Sequence, residues 1–599
     1  MSFIYGWLDK HNHHFQDTAV YGKTGAGANA GHSLGPGFEV GCHSANQLNA
    51  QLFQSERFAV VIAGEPAWSE TGLKSAAAAH GHAHALAEGF AGYGKKVLNY
   101  LHGNFAFCLL EPAKDYALLA IDRVGIKPLA YYYQNGLLVF GSQLDFISAH
   151  PQVQAEIDPQ AIFNYLYFHM IPSPGTIFQA MEKLQPGELV EIDGSKLNKS
   201  FYWQIGYRDT KQSKHACTAE LHEQLQQAVS VCAPDQQTGA FLSGGLDSST
   251  VTGVYQNLCD QPIDVFSIGF DAEGYDEMEF ARATAKHFKA NLHEYYVTPS
   301  DVLGALPMIA QSYDEPFGNA SAIPAYYCAK FARENGMHAL LAGDGGDEIF
   351  AGNARYAKQK MFDLYRWVPG FGKALLEPLA AHIGPLRKLN SYIEQAKLPM
   401  PDRMETYNFL HRTALSEIFA ADFLASIDAD LPLEQLRQTY RRPETDDLVK
   451  KMLFLDAKFT LADNDLRKVN RMCEIAGIEV KYPMLQENML EFAASVPSAW
   501  LMQGFELRSF YRQAMQGFLA KETLNKSKQG FGLPFGVWLS TDSDLKAFAE
   551  ASLQGIERRG LLNPDYIKNL IKLHQDGHAS YYGVMIWLLI MLEQWLITH

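Results

Sequence analysis

Basic residues are in the minority in this sequence. It has 50 Lys and Arg against 66 Asp and Glu, a formal net charge of −16 over 599 residues. No run rich in Lys or Arg interrupts this balance, so the electrostatic footprint of a nucleic-acid-binding protein is missing. We expect no nucleic-acid partner. An acidic protein surface repels phosphate, and any nucleotide has to be held by a local device.

Cysteines are also few. The seven are scattered, odd in number and without a C-x-x-C pair, which argues against a disulfide framework and a zinc knuckle. The N-terminus has neither the basic start nor the apolar segment of a signal peptide. The longest apolar run near the C-terminus, from Val584 to Leu592, has nine residues, whereas a bilayer span needs about 20. We therefore expect a cytoplasmic protein with no membrane partner.

What is present is an ordinary globular composition, with 47% hydrophobic residues and room for about two to four domains. Short β-branched and aromatic segments in the first 200 residues predict strands, and the Asn135-Gly136 pair between two of them predicts a hairpin. Closely spaced strands of this kind are typical of packed antiparallel sheets. The Ala-rich stretch 76–91 predicts a helix, and the Gly/Ala-rich stretch 25–37 predicts a loop.

The pattern changes after a polar segment at residues 205–215, which fits a linker. Apolar strands are predicted at 238–242, 264–270 and 337–343, with helices between them, and beyond about residue 360 the pattern is mostly helical. Alternating strands and helices indicate a parallel, doubly wound sheet. The last helix, around 581–595, has its apolar residues at helical spacing and is expected to be part of the core.

The sharpest local signal is the motif S-G-G-L-D-S-S at residues 243–249, which ends a strand and opens a helix. Two glycines let the backbone approach a phosphate, and the N–H groups of the helix N-terminus supply positive potential. Asp247 would repel phosphate unless a divalent cation lay between them, so the motif implies Mg²⁺. The Gly-Lys-Ser/Thr ending of a Walker loop is absent.

A second motif, A-G-D-G-G-D-E at residues 342–348, follows another apolar strand. Its three acidic residues are interleaved with glycines at the carboxyl end of that strand, where a cation or a substrate ammonium would offset their charge. If both strands belong to one parallel sheet, the two loops meet at one edge.

With these two loops the chain resembles the asparagine synthetase family, the class II glutamine amidotransferases. Further matching segments are F-A-F at 105–107, D-R-V-G-I-K-P-L at 122–129, Y-D-E at 275–277, D-E-P at 314–316 and K-Q-G-F-G-L-P at 528–534. The resemblance covers nearly the whole chain. It implies an Ntn-hydrolase-like antiparallel β sandwich as a glutaminase-type domain at residues 1–204. It also implies an ATP-pyrophosphatase domain at 215–599, with a parallel sheet and a helical extension.

The resemblance also implies the chemistry and the residues that carry it. A carboxylate would attack the α-phosphorus of ATP to give an acyl-adenylate and pyrophosphate, and an amine would then displace AMP to leave an amide. Asp247 and Asp347 would hold Mg²⁺, and Asp344 would accept a proton from the amine. ATP and pyrophosphate would be bound by Leu242, Ser243, Gly244, Gly245, Asp247, Ser248, Ser249, Phe270 and Gly343.

The N-terminal part departs from the family. An active glutaminase begins with Met-Cys, whereas position 2 is Ser2, whose hydroxyl is far less acidic than a thiol. The family's N-G-E-x-Y-N loop reads A-G-E-P-A-W at 63–68, so Gly64 and Glu65 remain without the asparagine before them. No R-H-R-G-P-D segment is found. We expect a degenerate, inactive glutaminase domain.

The C-terminal part departs at two places. Arg508 stands where the family's G-x-x-x-K-x-x-L-R pattern has its catalytic lysine; arginine keeps the positive charge but cannot give up its proton. The alternative is that Arg508 is a surface helix residue and that the register is shifted. In the segment 477–486 the family's arginine is Lys481 and its final aspartate is Gln486, which suggests an altered acceptor pocket.

Three functions remain open on the sequence. The first is ATP-dependent amide formation with ammonia or a substrate amine, of which asparagine formation from aspartate is the plainest case. The second is ring closure with an internal amine, as in β-lactam synthetases and lasso-peptide cyclases. The third is a non-catalytic ATP-binding protein. The sequence names neither the small-molecule or peptide carboxylate nor the amine, and it leaves a homodimer open.

Overall fold

The computed structural model describes residues 2–10, 30–35, 37–44, 49–233, 235, 237–371, 373, 377, 387–526 and 532–599. Residues 25–29 and 36 of the predicted loop at 25–37, and residues 528–531 of the C-terminal motif, lie outside these ranges. Residues 30–35 form a strand, so the loop prediction is wrong there.

Two antiparallel six-stranded sheets make up the N-terminal part. The first has the strand order β10-β8-β9-β1-β3-β2 and the second β12-β11-β7-β6-β5-β4. The strands are β1 Ser2–Asp9, β2 Ala30–Gly35, β3 Phe38–Ser44, β4 Ala50–Gln54, β5 Ala59–Trp68, β6 Leu101–Glu111, β7 Tyr116–Ile121, β8 Ala130–Gln134, β9 Leu137–Gly141, β10 Met181–Lys183, β11 Glu188–Asp193 and β12 Lys196–Phe201. Asn135 and Gly136 form the predicted hairpin turn between β8 and β9, both at positive φ.

The two sheets face each other across one apolar core. Val40 and Phe140 of the first sheet and Val61 and Leu119 of the second are completely buried in it. The outer face of the second sheet is covered by two helices, Thr71–His80 and His82–Tyr93. The single helix predicted over 76–91 is therefore interrupted. Gly81 separates the two helices with φ of 91°, a left-handed value that glycine adopts without steric cost.

The C-terminal part contains the predicted parallel sheet, of five strands in the order β15-β14-β13-β16-β17. The strands are β13 Thr238–Phe241, β14 Asp264–Phe270, β15 Asn291–Val297, β16 Ala339–Leu341 and β17 Glu479–Lys481. The helices Leu246–Leu258, Met278–Phe288, Pro299–Ser312 and Ala322–Glu334 connect the first four strands. The predicted fold class, an antiparallel sandwich followed by a parallel α/β sheet with a helical extension, is confirmed.

The remaining secondary structure is almost entirely helical. Between residues 457 and 466 the chain forms a π-helix, Ala457–Leu466, which leads into the α-helix Arg467–Ile475. The other α-helices of the described residues are Leu144–Ser148, Pro159–Phe168, Lys214–Cys232, Gly346–Phe350, Ala354–Asp363, Arg387–Lys397, Leu415–Ile418, Ala421–Ala425, Leu431–Arg441, Leu448–Asp456, Glu487–Ser495, Ser498–Leu501, Ser509–Ala514, Lys521–Asn525, Phe535–Thr541, Ser543–Arg558, Tyr566–Asp576 and Ala579–Thr598. Short 3-10 helices are Gly94–Asn99, Pro112–Lys114, Leu364–Trp367, Asp402–Glu405, Phe409–His411 and Pro483–Leu485.

The C-terminal helix Ala579–Thr598 belongs to the core, as its pattern predicts. By length and composition it is the one helix of the described ranges that could cross a membrane, yet 61% of its most apolar window is buried inside the protein. The Trp587 and Trp595 indole N–H groups donate to the backbone carbonyls of Gly318 and Tyr313, at 3.0 and 3.1 Å. All seven cysteines carry free thiols.

The two parts share apolar packing. The helix Pro159–Phe168 follows the first sheet and lies in the same core as the C-terminal helices. Its Tyr165 hydroxyl donates to the carbonyl of Leu588 at 2.9 Å. Residues of both parts thus belong to one apolar core. The division into domains at 1–204 and 215–599 stays a prediction.

Candidate active site

The two glycine-rich loops start from neighbouring strands. Strands β13 and β16 pair in parallel, Thr238 opposite Ala339 and Ala240 opposite Leu341, and each loop follows the carboxyl end of its strand. Both loops therefore lie at the carboxyl end of the parallel strands, where open parallel sheets bind ligands.

The first loop is shaped by its glycines and by a serine pair. Gly244 has φ of +68°, and a Cβ there would lie 2.5 Å from the Cβ of Phe280 and 2.6 Å from the Ala281 nitrogen. Only glycine fits this approach of loop and helix. The Ser243 backbone N–H donates to the Ser248 hydroxyl at 3.2 Å, and the two hydroxyls are 3.0 Å apart. Gly245 caps the following helix without a side-chain hydrogen bond.

Ser249 does not join this loop. Its side chain is completely buried, and its hydroxyl lies 3.0 Å from that of Thr284, which in turn lies 2.9 Å from the hydroxyl of Thr523. The three hydroxyls tie three helices together. The structure thus places Ser243 and Ser248 at the loop and turns Ser249 toward the interior, away from the position that the sequence interpretation gave it.

The second loop lies directly against the first. A Cβ at Gly343 would lie 2.7 Å from the Ser248 nitrogen, and one at Gly346 would lie 2.1 Å from a carboxylate oxygen of Asp247. The glycines of the acidic motif are therefore needed for contact between the loops. Asp347 lies in the first turn of the helix Gly346–Phe350 and faces the same space as Asp247.

Arg508 joins the two carboxylates. Its Nη1 donates to Asp247 at 2.6 Å and to Asp347 at 2.9 Å, and its Nη2 makes a second, shorter bond to Asp247. The side chain is buried and stacks on Tyr511, with the guanidinium carbon 4.5 Å from the ring centroid. Burial alone would lower the pKa of the Arg508 guanidinium, but the charges of Asp247 and Asp347 outweigh it and raise that pKa. The alternative of a surface helix residue is therefore wrong.

The backbone of Arg508 is also unusual. It has φ of 56° and ψ of 28°, in the left-handed region, where it precedes the helix Ser509–Ala514. A non-glycine residue in this region costs about 1–2 kcal/mol. Such outliers persist where the surrounding structure holds them, and they cluster at functional sites.

The residues present fit a magnesium ion that accompanies a polyphosphate. Mg²⁺ prefers oxygen ligands and is commonly held by one or two carboxylates together with substrate phosphates. Asp247 and Asp347 already converge on one cationic group, the Arg508 guanidinium. No group of three or more potential protein ligands occurs in the described ranges, so this pair would depend on phosphate oxygens to complete the shell.

Asp344 lies in the same loop beside an ion pair. Lys468 Nζ lies 2.8 Å from Asp465, and both charges act on Asp344. Burial raises the pKa of Asp344 to about 6, against the stabilising charge of Lys468. A carboxyl with this pKa can accept a proton near neutral pH. The sequence analysis did not find Asp465 and Lys468, whose i, i+3 spacing was the only signal.

Two further features surround the loops. Leu242 and Phe270, at the ends of β13 and β14, are both buried at 1% exposure, and the Phe270 ring packs 6.1 Å from that of Trp538. Lys526, which the sequence analysis also missed, donates to the Ser243 carbonyl at 3.2 Å and pairs with Glu277 at 3.0 Å. It brings a positive charge to the Ser243 loop, two residues before the K-Q-G-F-G-L-P motif.

At the N-terminal site, the structure places Ser2 at the start of β1, opposite Ser44. The two hydroxyls are 3.1 Å apart. Gly64 has φ of +117°, and a Cβ there would lie 2.2 Å from the carbonyl oxygen of Asn104. Glu65 has two other contacts. Its backbone N–H donates to the Asn104 side chain, and its carboxylate pairs with Lys481 of β17 at 2.9 Å.

A second ion pair joins the two parts of the chain nearby. Glu487, at the start of the helix Glu487–Ser495, contacts the guanidinium of Arg123 and lies 2.5 Å from His102 Nδ1. The Gly103 backbone N–H donates to the same carboxylate at 3.2 Å. Together with Glu65–Lys481, this cluster fixes the start of β6 and the D-R-V-G turn to the edge of the parallel sheet.

Comparison with known proteins identifies both parts. The profile of the asparagine synthase family matches residues 220–597, and that of the glutamine amidotransferase domain matches residues 70–203. The glutamine-hydrolysing asparagine synthetase 1 of Bacillus subtilis is 25% identical over 508 residues, which cover 84% of this chain and 78% of that protein. A putative glutamine-hydrolysing asparagine synthetase 2 of Methanocaldococcus jannaschii is 31% identical over 398 residues, 64% of this chain and 74% of its own.

More distant relatives carry another name. A protein of Gibberella zeae named amidase chry2 is 23% identical over 503 residues, 74% of this chain and 72% of that protein. The profile that spans more than half of the chain and the shared sequence motifs lead to one conclusion: the chain belongs to the asparagine synthase family, and it is an ATP-dependent carbon–nitrogen ligase with an amidotransferase-type N-terminal part.

Proposed function

We propose that this ligase forms an amide through an acyl-adenylate, releasing AMP and pyrophosphate, and that ammonia or a substrate amine supplies the nitrogen in place of glutamine. The observation that carries the proposal is the convergence of Asp247, Asp347 and Arg508 where the two loops meet. At this point the two carboxylates and the Arg508 guanidinium are in direct contact, between the loop 243–249 and the loop 342–348.

In the first step, the oxygen of the substrate carboxylate attacks the α-phosphorus of ATP, and the bond to the bridging oxygen of pyrophosphate breaks. The N–H groups at the start of the helix Leu246–Leu258 and the hydroxyls of Ser243 and Ser248 would bind the departing pyrophosphate. Arg508 and Lys526 would offset its growing charge, which preorganised donors and cations do at low reorganisation cost. Bound Mg²⁺, held by Asp247 and Asp347, would supply further neutralisation of the polyphosphate.

In the second step, the amine nitrogen attacks the acyl carbon, the bond to the AMP oxygen breaks, and one proton leaves the nitrogen. Asp344 is placed to accept that proton, since its pKa near 6 lets it be deprotonated at neutral pH and yet remain a usable base. Arg508 cannot take this role, because a guanidinium keeps its proton.

Glutamine is the wrong nitrogen source for this chain. Ser2 replaces the thiol, its hydroxyl is engaged with Ser44, and the Glu65 carboxylate is paired with Lys481. Loss of one oxyanion donor alone costs about 10²–10³ in rate. The N-terminal part would then have a structural role, packed against the ligase part. We also propose that the protein is cytoplasmic.

The experiment is an ATP–pyrophosphate exchange screen over carboxylates that includes aspartate, followed by AMP release with ammonium or glutamine. We expect exchange with at least one carboxylate, AMP release with ammonium or an amine, and no glutamate from glutamine. Asp247→Ala should lower exchange by about 10³ or more, since it removes an Mg²⁺ ligand and the bidentate partner of Arg508. Asp260→Asn, an exposed control, should leave it unchanged. Failure of every carboxylate to support exchange would contradict the proposal.

A further inference from the structure

Two adjoining cavities lie outside the two glycine-rich loops, and none of the residues 243–249 or 342–348 lines either of them. One has a volume of about 300 Å³ and the other about 320 Å³, and both are lined by His169, Asn464 and Val584. Volumes of this size hold organic molecules much larger than ammonia. The next residue after Asn464 is Asp465, which pairs with Lys468 beside Asp344. Asn464, which lines both cavities, is thus the neighbour in sequence of a residue whose charge acts on the proposed base.

The first cavity is walled by aromatic rings. Tyr167, Phe168, Phe409, Phe459 and Tyr581 line it, with Phe168 stacked on Phe459 at 5.2 Å and Phe409 on Tyr581 at 5.4 Å between ring centroids. Aromatic faces carry partial negative charge and attract cations, including the ammonium groups of ligands. Rings of this kind also pack well against a flat organic body.

Among the described residues, the charged groups of this cavity leave one carboxyl, Glu405, without a direct ion pair, although the charges of Arg355 and His411 act on it. Asp456 is already neutralised, because Arg355 donates to it at 2.7 Å and the Tyr356 hydroxyl at 2.6 Å. Glu405 has only the Asn408 side-chain amide, at 3.3 Å, and in the described part of the chain no Lys or Arg lies within ion-pairing distance of it. The Tyr167 hydroxyl is buried beside Glu405 without a hydrogen bond of normal geometry.

The basic groups nearby only partly offset the burial of Glu405: Arg355, which is paired with Asp456, and His411 lower its pKa, but burial outweighs them. Burial lowers the pKa of His169 to about 4, so its imidazole is neutral at physiological pH. Lys358 and Arg412, at the mouth, are engaged with Tyr407, at 3.5 and 5.3 Å from its ring centroid. Burial also raises the pKa of Glu405, and a bound cation would relieve that cost.

We propose that this cavity binds an organic primary amine, with its ammonium group at Glu405 and its body between the aromatic walls, and that this amine is the nitrogen donor of the reaction. The inference rests on the proposed function. The bound ammonium group loses one proton to water and becomes the free amine, whose nitrogen then forms a bond to the acyl carbon of the adenylate. The acyl–oxygen bond to AMP breaks, and the second proton passes to Asp344.

The binding test uses the full chain and 2-phenylethylamine, which joins one ring to one primary amine, with calorimetric titration as the readout. We expect 2-phenylethylamine to bind at least tenfold more tightly than the uncharged 2-phenylethanol. Glu405→Gln should weaken the amine tenfold or more, and Phe409→Leu should weaken it severalfold. The exposed control Glu417→Gln should bind as the wild type does. Equal binding of amine and alcohol, or an undiminished affinity in Glu405→Gln, would overturn the proposal.

The activity test separates this inference from the proposed function. Adenylation needs no amine, so wild-type ATP–pyrophosphate exchange reports on the proposed function alone, and the binding test stands whether or not exchange is found. With a carboxylate that supports exchange, 2-phenylethylamine should give a kcat/KM at least tenfold above that of ammonium. Glu405→Gln should raise KM for the amine at least tenfold. An equal or higher kcat/KM with ammonium would contradict the proposal that the cavity binds the nitrogen donor.

Discussion

Arg508 shows how a substitution can keep the charge of a site and change its chemistry. Its fork binds Asp247 through both terminal nitrogens and Asp347 through one of them. A lysine ammonium is a compact charge without this planar fork, so the two residues are not interchangeable here. The fork fixes both carboxylates, and under the proposed function the proton transfer of the amide step falls to another residue.

That residue is Asp344, and its protonation predicts a pH dependence. Because burial raises its pKa to about 6, the carboxylate that accepts a proton is lost as the pH falls through 6. At a constant concentration of the free amine, the rate of the amine step should therefore rise between about pH 5 and 7 and level off above. In Asp344→Asn this limb should vanish, and the rate should drop about 10²–10⁴-fold, the usual worth of a general base.

Single-turnover amide formation from preformed adenylate, followed from pH 5 to 8, measures this. ATP–pyrophosphate exchange provides the internal control, because no proton is taken from an amine in that step. A limb near pH 6 that survives in Asp344→Asn would assign the titration to another group.

At the scale of single residues, the sequence predicts which residues belong to the site better than it predicts which way each side chain points. The motifs correctly bring Asp247, Asp347 and Arg508 into one place, since parallel neighbouring strands deliver their loops to one edge. They do not tell Ser248 from Ser249. Consecutive helical residues point about 100° apart, and only the packing of Thr284 and Thr523 decides that Ser249 faces the interior.

Among the structural elements, the turn from β13 into its helix depends on one glycine. Gly244→Ala should lower the free energy of unfolding by about 1–2 kcal/mol for the left-handed backbone. Contact with the Ala281 backbone nitrogen, 2.6 Å from the new Cβ, should add about 1–3 kcal/mol more. Urea unfolding measures the sum, and exchange activity should fall with it because the loop has to move.

Gly274→Ala is the matched control. Gly274 has a similar φ of +80° but no atom within 4 Å of its Cβ position, so only the backbone term of about 1–2 kcal/mol should appear. Equal losses in the two variants would show that loop and helix do not approach as closely as described.

The elements themselves are predicted unevenly. Strand β14 is predicted with the bounds that the structure has, 264–270, because its apolar and β-branched residues form one short run. The helix predicted at 76–91 is broken at Gly81, where the Gln51 side chain accepts from the backbone N–H of His82 at 2.5 Å. Strand β17 has only three residues and reaches β16 after a long helical excursion, so no local pattern indicates it.

In the whole molecule, the N-terminal part is attached to the ligase edge by ion pairs. Glu487→Gln should leave the Arg123 guanidinium, whose side chain is 11% exposed, without its carboxylate. Removing one partner of a mostly buried pair should cost about 2–4 kcal/mol. The urea midpoint of the full chain should fall accordingly, while glutamine remains unused.

Glu491→Gln tests whether the loss is specific. Glu491 is exposed and acts on Arg123 only through its charge, so the change should stay within about 0.5 kcal/mol. If the two variants lose stability equally, long-range charge and not the Arg123–Glu487 contact holds the parts together. The sequence could not foresee this contact, since its partners are more than 360 residues apart along the chain.

The π-helix Ala457–Leu466 sets the rotational phase of everything that follows it. It carries Asn464 and Asp465 at its end, between the cavities and the base. Deleting one residue from it would let the segment rewind toward an ordinary α-helix and would change the directions in which Asn464 and Asp465 point. Shortening this wide turn would therefore shift the Asn464 wall of both cavities together with the Asp465–Lys468 pair, so the cavities and the surroundings of Asp344 would change as one unit.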